Sequence, residues 1–380
     1  MDKQTPPTIV YIITKLELGG AQKVCLRLFD DLAKHDHHTW LITGDQGPLV
    51  EQVNHNPHAI LLDCMTREVS AYGLLREFKT FFTLINVLRK LKKEHPKLIV
   101  HTHSTKAGLL GRWAAFFAGI AHRVHTIHGY GFHPHQSRVA WLAVYLSELV
   151  TSFITTRFIC VSRADAQTGV RLFPGFAHKH TLIYAAIDGE PFLAQATKKC
   201  APTAEPFVIG TVACFKPQKN MGDLLRAFKS VHERYPQARL ELIGDGALRP
   251  AIEAWLSKNN LTRAVVLHGW QPDVAAITKN WHVFALTSLW EGLPCAVIEA
   301  RLLKLPVVSY KTGGIPEVII HNVNGLLYEQ KNWHGIADGI GDLIENPALY
   351  ARLSHYPDQL TPFTYEYMVE QHINMYHTLS

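Results

Sequence analysis

Two glutamates eight residues apart, Glu291 and Glu299, form the pattern in this chain that points most directly to a binding or catalytic site. Glu291 stands before the turn Gly292-Leu293-Pro294, and Glu299 follows within an apolar run. Because proline fits the first turn of a helix, we expect a helix to begin at Pro294. Glu291 then lies in the preceding loop, and Glu299 lies about one and a half turns into the helix. The two carboxylates need not share one helical face, yet they could converge on one ligand.

A ligand suited to this spacing would carry both phosphate and hydroxyl groups. Free backbone amides at a helix start can bind a diphosphate. A carboxylate one turn further on could accept hydrogen bonds from a ribose diol, and the loop carboxylate could bind the hydroxyls of a sugar. The pattern therefore indicates a nucleotide-sugar. The alternative is one glutamate favoured by the helix dipole and one ordinary surface glutamate.

Two paired-glycine turns, one in each half of the chain, could also approach phosphate. Gly19 and Gly20 follow the first predicted strand and open a helix, and Gly313 and Gly314 follow a strand near Tyr310. Glycine lets the backbone come close to an anion, and the helix start behind it offers free N–H groups. The first turn is not G-x-G-x-x-G, so a dinucleotide site is poorly supported, and a simple tight turn is the alternative.

The elements that must position these residues alternate between short apolar runs and helical patterns, which is typical of parallel βαβ units. The predicted strands lie near 8–14, 39–43, 59–63, 98–103, 123–128, 158–161 and 181–184, and then near 207–212, 239–243, 265–268, 283–287, 306–309 and 325–328. The fold class predicted is α/β, with two doubly wound, Rossmann-like parallel sheets. Because open parallel sheets bind ligands beyond the carboxyl ends of their strands, two such domains facing a cleft would place a site there.

The chain is predicted to form two domains and a C-terminal helix. Between Asp188 and Glu205 the periodicity lapses, and we interpret this segment as the linker. A first domain is expected over residues 1–188 and a nucleotide-sugar-binding domain over 206–361. The helix within 362–380 is expected to pack back on the first domain, because no strand follows it.

Composition is that of a globular protein, with 47% hydrophobic and 18% charged residues in 380. Six cysteines without a C-x-x-C pair favour reduced thiols in a cytosol over disulfides or zinc. The N-terminus does not resemble a signal peptide, and polar residues interrupt the apolar stretch 139–156, so a spanning helix is not expected. A cytoplasmic location is predicted.

Positive charge is concentrated in the first half of the chain. Residues 1–200 hold 23 Lys and Arg against 15 Asp and Glu, whereas residues 201–380 hold 15 against 17. A nucleic acid, an anionic membrane or a phosphorylated lipid would suit the basic half, although such a run is often only a solvated helix face.

The stretch from Thr287 to Pro294, with Glu299, resembles the E-x7-E signature of the retaining family-4 glycosyltransferases of the GT-B fold. Other motifs, in order, extend the resemblance over nearly the whole chain. They are Gly19-Gly20, His101-Thr102-His103-Ser104, His125-Thr126-Ile127-His128-Gly129, Cys160-Val161-Ser162, Gly244-Asp245-Gly246, His268-Gly269-Trp270 and Thr312-Gly313-Gly314-Ile315-Pro316-Glu317. The chain is similar to bacterial surface-polysaccharide glycosyltransferases, which implies two Rossmann-like domains facing a cleft.

The resemblance implies roles for individual residues. Glu291 would bind hydroxyls of the donor sugar during catalysis, and Glu299 would bind the ribose. His128 matches the catalytic histidine near the transferred sugar, and Lys219 matches a lysine that grips the donor phosphates. The other residues implied at the nucleotide-sugar are Gly19, Gly20, Lys216, Gly244, Gly269, Trp270, Gly292, Leu293 and Pro294.

One position departs from the family pattern, because Cys214 stands where an arginine often precedes the phosphate-binding lysine. Lys216 could substitute, although an ammonium cannot reproduce a bidentate guanidinium. The chain has no D-x-D, so no metal site and no cofactor is expected, with lysine and helix dipoles neutralising the diphosphate instead. The resemblance implies front-face attack with retention, in which the leaving phosphate, rather than His128, takes the acceptor's proton.

The acceptor is expected to contact the basic first half. A surface that is basic and partly apolar can bind an anionic bilayer without crossing it. The residues concerned are Lys90, Lys92, Lys93, Tyr130 and Phe132, beside the apolar residues of 75–97 and 139–150. The hypothesis is a glycan or polyprenyl-diphosphate-linked sugar acceptor at the inner face of the cytoplasmic membrane, in surface-polysaccharide assembly. The alternative is that the apolar side chains face the core and the lysines face water.

The predicted reaction is transfer of a hexose or N-acetylhexosamine from a nucleotide-diphosphate sugar, with UDP favoured over GDP. An epimerase of the same fold is one alternative, and it would turn over the donor without an acceptor. A basic nucleic-acid-binding protein is another, but the chain has no recognisable reading helix or aromatic strand platform, so no nucleic-acid partner is expected.

Overall fold

The computed structural model describes residues 6–35, 37–65, 71–196 and 206–379. They form two compact units: unit 1 comprises the described residues of Met1–Ala186 and Tyr365–Ser380, and unit 2 those of Ile187–Thr364. Each unit is built on one parallel sheet with helices on its faces. All thirteen strands predicted from the sequence are present close to their predicted bounds.

The sheet of unit 1 has seven parallel strands in the order β3-β2-β1-β4-β5-β6-β7. The strands are β1 (Thr8–Ile13), β2 (Thr39–Gly44), β3 (Ala59–Leu62), β4 (Leu98–His103), β5 (His122–Ile127), β6 (Arg157–Cys160) and β7 (His180–Leu182). The helices between them are α1 (Gly20–Lys34), α2 (Ala71–Glu94), α3 (Thr105–Phe117), α4 (Arg138–Ile154) and α5 (Arg163–Leu172). Helices cover both faces, so β1 is buried throughout and reads as one apolar run.

The sheet of unit 2 has six parallel strands in the order β10-β9-β8-β11-β12-β13. The strands are β8 (Val208–Val212), β9 (Arg239–Ile243), β10 (Val265–Gly269), β11 (Val283–Leu286), β12 (Val307–Tyr310) and β13 (Gly325–Tyr328). The helices are α6 (Glu190–Gln195), α7 (Met221–Arg234), α8 (Arg249–Lys258), α9 (Val274–Thr278), α10 (Cys295–Leu302), α11 (Ile315–Val318), α12 (Trp333–Glu345) and α13 (Pro347–His355). The strand order reverses direction at β8 and β11, the position where such sheets bind ligands.

The last helix, α14 (Tyr365–His377), belongs to unit 1. Its Tyr376 is fully buried, and the Tyr376 hydroxyl lies 3.1 Å from that of Tyr11 on β1. α14 therefore packs on the face of the sheet to which the Tyr11 side chain points.

The predicted linker differs from the structure at its start. Residues 190–195 form α6, which packs against α9 and α10 of unit 2, and its Phe192 is buried. The short helix escaped the sequence pattern because six residues are too few to show a helical period. Residues 197–205 of the predicted linker lie outside the described residues.

Candidate functional site

The carboxyl ends of three neighbouring strands in unit 2 carry the loops in which most of the predicted donor-binding residues lie. The first loop, residues 213–220, follows β8 and contains a 3₁₀ turn. The second, residues 287–294, follows β11, and the third, residues 311–314, follows β12. Because β8, β11 and β12 are adjacent and parallel, all three loops emerge at the same edge of the sheet.

Hydrogen bonds join these three loops. The backbone N–H of Leu289 donates to the carbonyl of Gln218 at 2.8 Å, and the Gln218 side-chain amide donates to the carbonyl of Trp290 at 2.6 Å. The Thr312 hydroxyl donates to the carbonyl of Ser288 at 2.9 Å. The middle loop is therefore held on both sides.

Glycine is required where the third loop meets the second. Gly313 has a φ of +52°, and a Cβ at this position would lie 2.2 Å from the backbone oxygen of Glu291. The N–H of the next residue, Gly314, donates to the carbonyl of Gly292 at 2.6 Å. The second paired-glycine turn thus positions the backbone around Glu291 through a close approach that a side chain would prevent.

Glu291 and Lys219, two of the predicted site residues, form an ion pair. The Lys219 Nζ lies 2.5 Å from Oε1 of Glu291, and the two side chains are only 15% and 7% exposed. The Gln218 side-chain amide lies 3.4 Å from the other carboxylate oxygen. The structure therefore brings an ammonium and a carboxylate together at the carboxyl-terminal edge of the sheet, where each compensates the charge of the other.

The helix that follows begins one residue later than predicted. α10 starts at Cys295, and Pro294 is its N-cap residue, with extended backbone and no side-chain cap. Glu299 lies in the second turn of α10 and lines a small cavity with Val212 at the end of β8. The two glutamates therefore belong to one loop and the helix it enters, as the sequence indicates.

The remaining predicted donor residues of unit 2 lie nearby in the fold. Gly244 and Gly269 follow or end β9 and β10 with φ of +123° and +68°, and the Gly244 N–H donates to the Gly269 carbonyl at 2.8 Å. Trp270 is 44% exposed. Lys216 precedes the 3₁₀ turn, and its N–H donates to the carbonyl of Cys214. Its contact with phosphate stays a prediction.

In unit 1, the predicted glycine turn stands at the start of α1. Gly19 is the N-cap residue and Gly20 the first helical residue, with no side-chain cap. β4 pairs with β1, and Ser104 follows β4. Ser104 has φ 64° and ψ 153°, a conformation that only glycine adopts readily. The hydroxyls of Ser104 and Thr14 lie 2.8 Å apart, which ties the ends of β1 and β4 together.

His128 follows β5 at the same edge of unit 1. Its Nε2 lies 2.9 Å from Nδ1 of His103, the last residue of β4. Burial, with a smaller contribution from His372, lowers the pKa of His128 to about 3. The imidazole is therefore neutral near pH 7.

Further histidines extend this group into the core under α14. His101 lies two residues before His103 on β4, and their ring centroids are 4.5 Å apart. His101 is hydrogen-bonded to the hydroxyls of Tyr376 at 2.5 Å and Thr126 at 2.7 Å. Burial lowers the pKa of His101 and of His103 well below the usual value.

The residues predicted to contact an acceptor or a membrane separate into buried and exposed groups. Phe132 is only 6% exposed, and its ring packs 4.8 Å from that of Tyr130 in an aromatic core, so it is not available to a bilayer. Lys90 and Lys93 are exposed. Lys92 is partly buried, and its ammonium donates to the carbonyl of Gly119 at 2.6 Å.

Two residues of these edges were not assigned a role from the sequence. Gln218 bridges two loops, and it stands between the two lysines that were noted. His103 bonds to His128, and the alternation of His101 and His103 on one strand face was the available signal. Their partners are 72 and 25 residues away, so sequence spacing did not identify the contacts.

Three further features concern membrane spans, metal sites and cysteines. None of the described helices has the length and apolarity needed to cross a membrane. Within the described residues there is no group of three or more His, Cys, Asp or Glu that could hold a metal ion. Cys25, Cys64 and Cys160 are buried thiols, Cys214 and Cys295 are partly exposed thiols, and Cys200 lies outside the described residues.

Comparisons with known proteins agree with this architecture. Solved structures of similar fold include the sucrose-phosphate synthase of Thermosynechococcus elongatus (TM-score 0.82, 20% identity, covering 98% of this chain and 99% of that one). Another is Anabaena HepE in complex with UDP and glucose (TM-score 0.79, 18% identity, covering 98% and 100%). At these identities the likeness concerns the fold, which is GT-B.

Sequence comparisons extend the assignment from fold to family. The model for Glycosyltransferase Family 4 matches residues 18–190, and that for Glycosyl transferases group 1 matches residues 195–359. An Escherichia coli relative, described as UDP-Gal:alpha-D-GlcNAc-diphosphoundecaprenol alpha-1,3-galactosyltransferase, is 30% identical over 321 residues, or 82% of this chain and 81% of the relative. The capsular polysaccharide biosynthesis glycosyltransferase CapM of Staphylococcus aureus is 24% identical over 338 residues, or 85% of each chain. The chain belongs to the family-4 glycosyltransferases, and it is therefore an enzyme.

Proposed function

We propose that this enzyme moves a hexose or an N-acetylhexosamine from a UDP-sugar to a sugar carried on a polyprenyl diphosphate, or to a related glycan, in surface-polysaccharide assembly. The contact between Lys219 and Glu291 carries the donor part, because it places a cation and a carboxylate at the ligand-binding edge of unit 2. The description of the E. coli relative, which includes UDP-Gal and GlcNAc-diphosphoundecaprenol, supports the acceptor part. HepE, solved with UDP-glucose, supports UDP as the nucleotide.

Donor binding would exchange the partners of the Lys219–Glu291 pair. The diphosphate would take the ammonium of Lys219, and the sugar hydroxyls would donate to the carboxylate of Glu291. Because each charge gains a new partner as it loses the old one, neither is left buried and unpaired, which would cost several kcal/mol. The uncapped amides at the start of α10 would bind phosphate oxygens, and Glu299 would accept from the ribose hydroxyls.

The proposed reaction proceeds with retention and without a divalent metal. The bond from the anomeric carbon to the diphosphate oxygen breaks, and the bond to the acceptor oxygen forms on the same face of the sugar. The acceptor's hydroxyl proton passes to the leaving phosphate. Lys219 and the amides of α10 would stabilise the charge that develops on the diphosphate.

A donor panel tests the reaction. Purified enzyme is incubated with UDP-galactose, UDP-glucose, their N-acetylhexosamine counterparts and GDP-mannose, each with and without a GlcNAc-diphospho-lipid, and the nucleotide released is measured. We expect UDP release that needs the acceptor, unchanged by EDTA, with the donor's anomeric configuration kept in the product by NMR. Donor turnover without acceptor would indicate an epimerase instead. Loss of activity in EDTA or inversion at the anomeric carbon would contradict the proposed mechanism.

Glu291→Gln tests the donor-sugar contact. A hydrogen bond to a charged group contributes about 1.5–3 kcal/mol, so kcat/KM should fall roughly 10- to 150-fold. Glu233→Gln, an exposed glutamate on α7, is the matched control and should leave kcat/KM unchanged. Equal activity of the two variants would remove Glu291 from the site.

Glu299→Ala tests the ribose contact separately from catalysis. UDP should raise the thermal unfolding midpoint of the parent enzyme, and it should raise that of the variant much less, because two hydroxyls lose their acceptor. UMP and uridine serve as further ligands that share the ribose. Equal stabilisation of variant and parent by UDP would contradict the assignment.

Exposed apolar side chains of α2, α3 and α4 support peripheral membrane contact. On α4, five exposed residues recur every three or four positions and therefore form one stripe. They are Val139, Leu142, Leu146, Val150 and Phe153. Adjacent helices expose Leu75, Phe78 and Phe82 on α2, and Phe116 and Phe117 at the end of α3. Leu84, Leu88 and Leu91 of α2 are buried, so the core alternative is correct for that part of the helix.

Basic groups lie around the exposed phenylalanines of α3. The Arg89 guanidinium donates to the carbonyl of Phe117 at 3.2 Å, and that of Arg123 stands 5.6 Å from the ring centroid of Phe116. Apolar side chains bordered by cations suit an anionic bilayer, in which a lipid-linked acceptor would be dissolved.

A vesicle assay tests this surface. The full chain should sediment with vesicles of mixed neutral and anionic phospholipid at low salt, and a Leu142→Asp, Leu146→Asp variant should not. Leu193→Asp, an exposed leucine on α6 of unit 2, is the control. Absence of binding by the parent, or equal binding of both variants, would remove the membrane proposal while leaving the donor chemistry unaffected.

A further inference from the structure

The imidazole of His103, at the end of β4, is held by burial, by a hydrogen bond and by two neighbouring rings. It is fully buried, and its Nδ1 lies 2.9 Å from Nε2 of His128. His103 pairs with Thr126 across the parallel strands β4 and β5, so His128, two residues further on, points to the same face. The rings of His101 and Tyr11 stand 4.5 Å and 6.0 Å from the ring of His103, which restricts its rotation.

The second nitrogen of His103 is the informative atom. Its Nε2 is buried and has no hydrogen-bond partner among the residues that the structure describes. Desolvation lowers the pKa of both His103 and His128, so both rings are neutral near pH 7. Each neutral ring carries one N–H, and the bond between them uses one of these hydrogens.

Two tautomeric arrangements are compatible with that bond, and they differ in what they leave unpaired. If His128 donates from Nε2, the hydrogen of His103 must stand on its buried Nε2, where an N–H without a partner is unfavourable. If His103 donates from Nδ1, its Nε2 carries a lone pair, and the only unsatisfied group is this hydrogen-bond acceptor. Buried acceptors are left unsatisfied somewhat more often than buried donors in native proteins. The second arrangement is therefore favoured.

We propose that His103 is a positioning residue that donates from Nδ1 to Nε2 of His128 and so holds His128 as the neutral Nδ1–H tautomer. His128 then offers a hydrogen-bond donor at Nδ1, while the lone pair of Nε2 is already used. It can donate to an oxygen of the bound sugar, but it cannot accept the acceptor's proton through Nε2. The catalytic consequence rests on the proposed function, and the tautomer itself does not.

The tautomer is measured directly on the full chain labelled with ¹⁵N-histidine, through long-range ¹H–¹⁵N correlation spectra near pH 7.5. His128→Asn identifies the His128 signals by their loss. We expect the Nδ1–H pattern in the parent and a mixture of tautomers in His103→Leu, which removes the donor. His103→Asn should keep the Nδ1–H pattern, because the amide nitrogen of Asn can occupy the place of imidazole Nδ1. An Nε2–H pattern in the parent, or no change in His103→Leu, would overturn the proposal.

Kinetics test the consequence for sugar transfer. His103→Leu should lower kcat about 10-fold, which corresponds to about 1.4 kcal/mol, with little change in the donor KM. His103→Asn should recover most of kcat, and His122→Asn, at the far end of β5, should match the parent. Equal loss in both His103 variants, together with a lower unfolding midpoint, would show a purely structural role and overturn the proposal. If the parent transfers no sugar from any donor, the proposed function fails, and the spectra alone decide the tautomer.

Discussion

The carboxyl-terminal edges of the two parallel sheets carry different kinds of side chain in the two units. In unit 1, the ends of β4 and β5 carry His103 and His128, which burial keeps neutral. In unit 2, the loops after β8 and β11 carry Lys219 and Glu291, which are charged residues in direct contact. One topology can therefore present either a directed hydrogen bond between neutral groups or a pair of opposite charges, according to the residues that end its strands.

The two edges also differ in how they are held. In unit 2, loop backbones approach one another closely, as Gly313 does with Glu291. In unit 1, side chains make the connections, because hydroxyls and imidazoles on neighbouring strands bond to each other. We expect the stability of unit 2 to fall when a side-chain carbon is added at a close backbone contact. We expect the stability of unit 1 to fall when its histidines are protonated.

The largest expected effect is acid destabilisation of unit 1. The folded-state pKa values of five histidines of unit 1 lie below the usual 6.5, with His128 at about 3 and His372 at about 4; the other three are His101, His103 and His125. Four of them are buried, and His128 is partly buried. Since the unfolded chain binds their protons more readily, their contribution is complete above pH 6.5 and is lost as pH falls toward 4. Each costs about 1.4 kcal/mol per pH unit, so the urea midpoint of unit 1 should fall steeply over this range.

The two units can be followed separately during acid unfolding. Proteolysis with mass spectrometry in urea would report which unit opens first as the pH is lowered. We expect peptides of unit 1 to appear first below pH 6. If unit 2 opened at a higher pH than unit 1, the explanation that histidine protonation destabilises unit 1 would be wrong.

Breaking the ion pair of unit 2 should have the next largest effect. Lys219→Met leaves the carboxylate of Glu291 nearly buried without its cation, which costs about 3–5 kcal/mol. The double variant Lys219→Met, Glu291→Gln should recover most of that stability, because no charge is stranded, but it should not recover UDP binding. Calorimetry and UDP titration measure the two quantities. Additive losses of stability would show that the contact is not an energetic pair.

A single added carbon should disturb the loops of unit 2. Gly313→Ala combines a positive φ with a Cβ 2.2 Å from the Glu291 oxygen, so we expect a loss of roughly 1–3 kcal/mol and weaker UDP binding. Gly222→Ala is the control, because a Cβ in this first turn of α7 meets no atom within 4 Å. Its urea midpoint should equal or exceed that of the parent. Matching midpoints for the two variants would contradict the close-approach explanation.

The smallest expected effect concerns the contact of α14 with unit 1. Tyr376→Phe removes a hydroxyl that bonds to both Tyr11 and His101 and should cost roughly 1–2 kcal/mol. Tyr367→Phe, on the more exposed side of the same helix, should cost less. Urea titration of both variants measures the difference. An equal cost would show that the buried hydroxyl network contributes little.

Much of the fold could be predicted because parallel strands covered on both faces are mostly short, near-continuous apolar runs. β1 is such a run, and every predicted strand is present. Six-residue α6 could not be predicted, because a segment that short does not reveal a period, and its packing on unit 2 moved the boundary between the units to 186/187. Phe132 likewise looked available in sequence, but Trp141 and Phe173, which pack against it in the aromatic core, come from other parts of the chain.

The alternation of strands and helices, the glycine turns, and the spacing of Glu291 and Glu299 could be read from the sequence, because these features depend on residues close together along the chain. The tertiary structure alone decided that Lys219 meets Glu291 and that His103 meets His128. Those contacts join residues on separate strands or loops. Their partners are selected by strand order and by the burial of the groups between them, which no local pattern encodes.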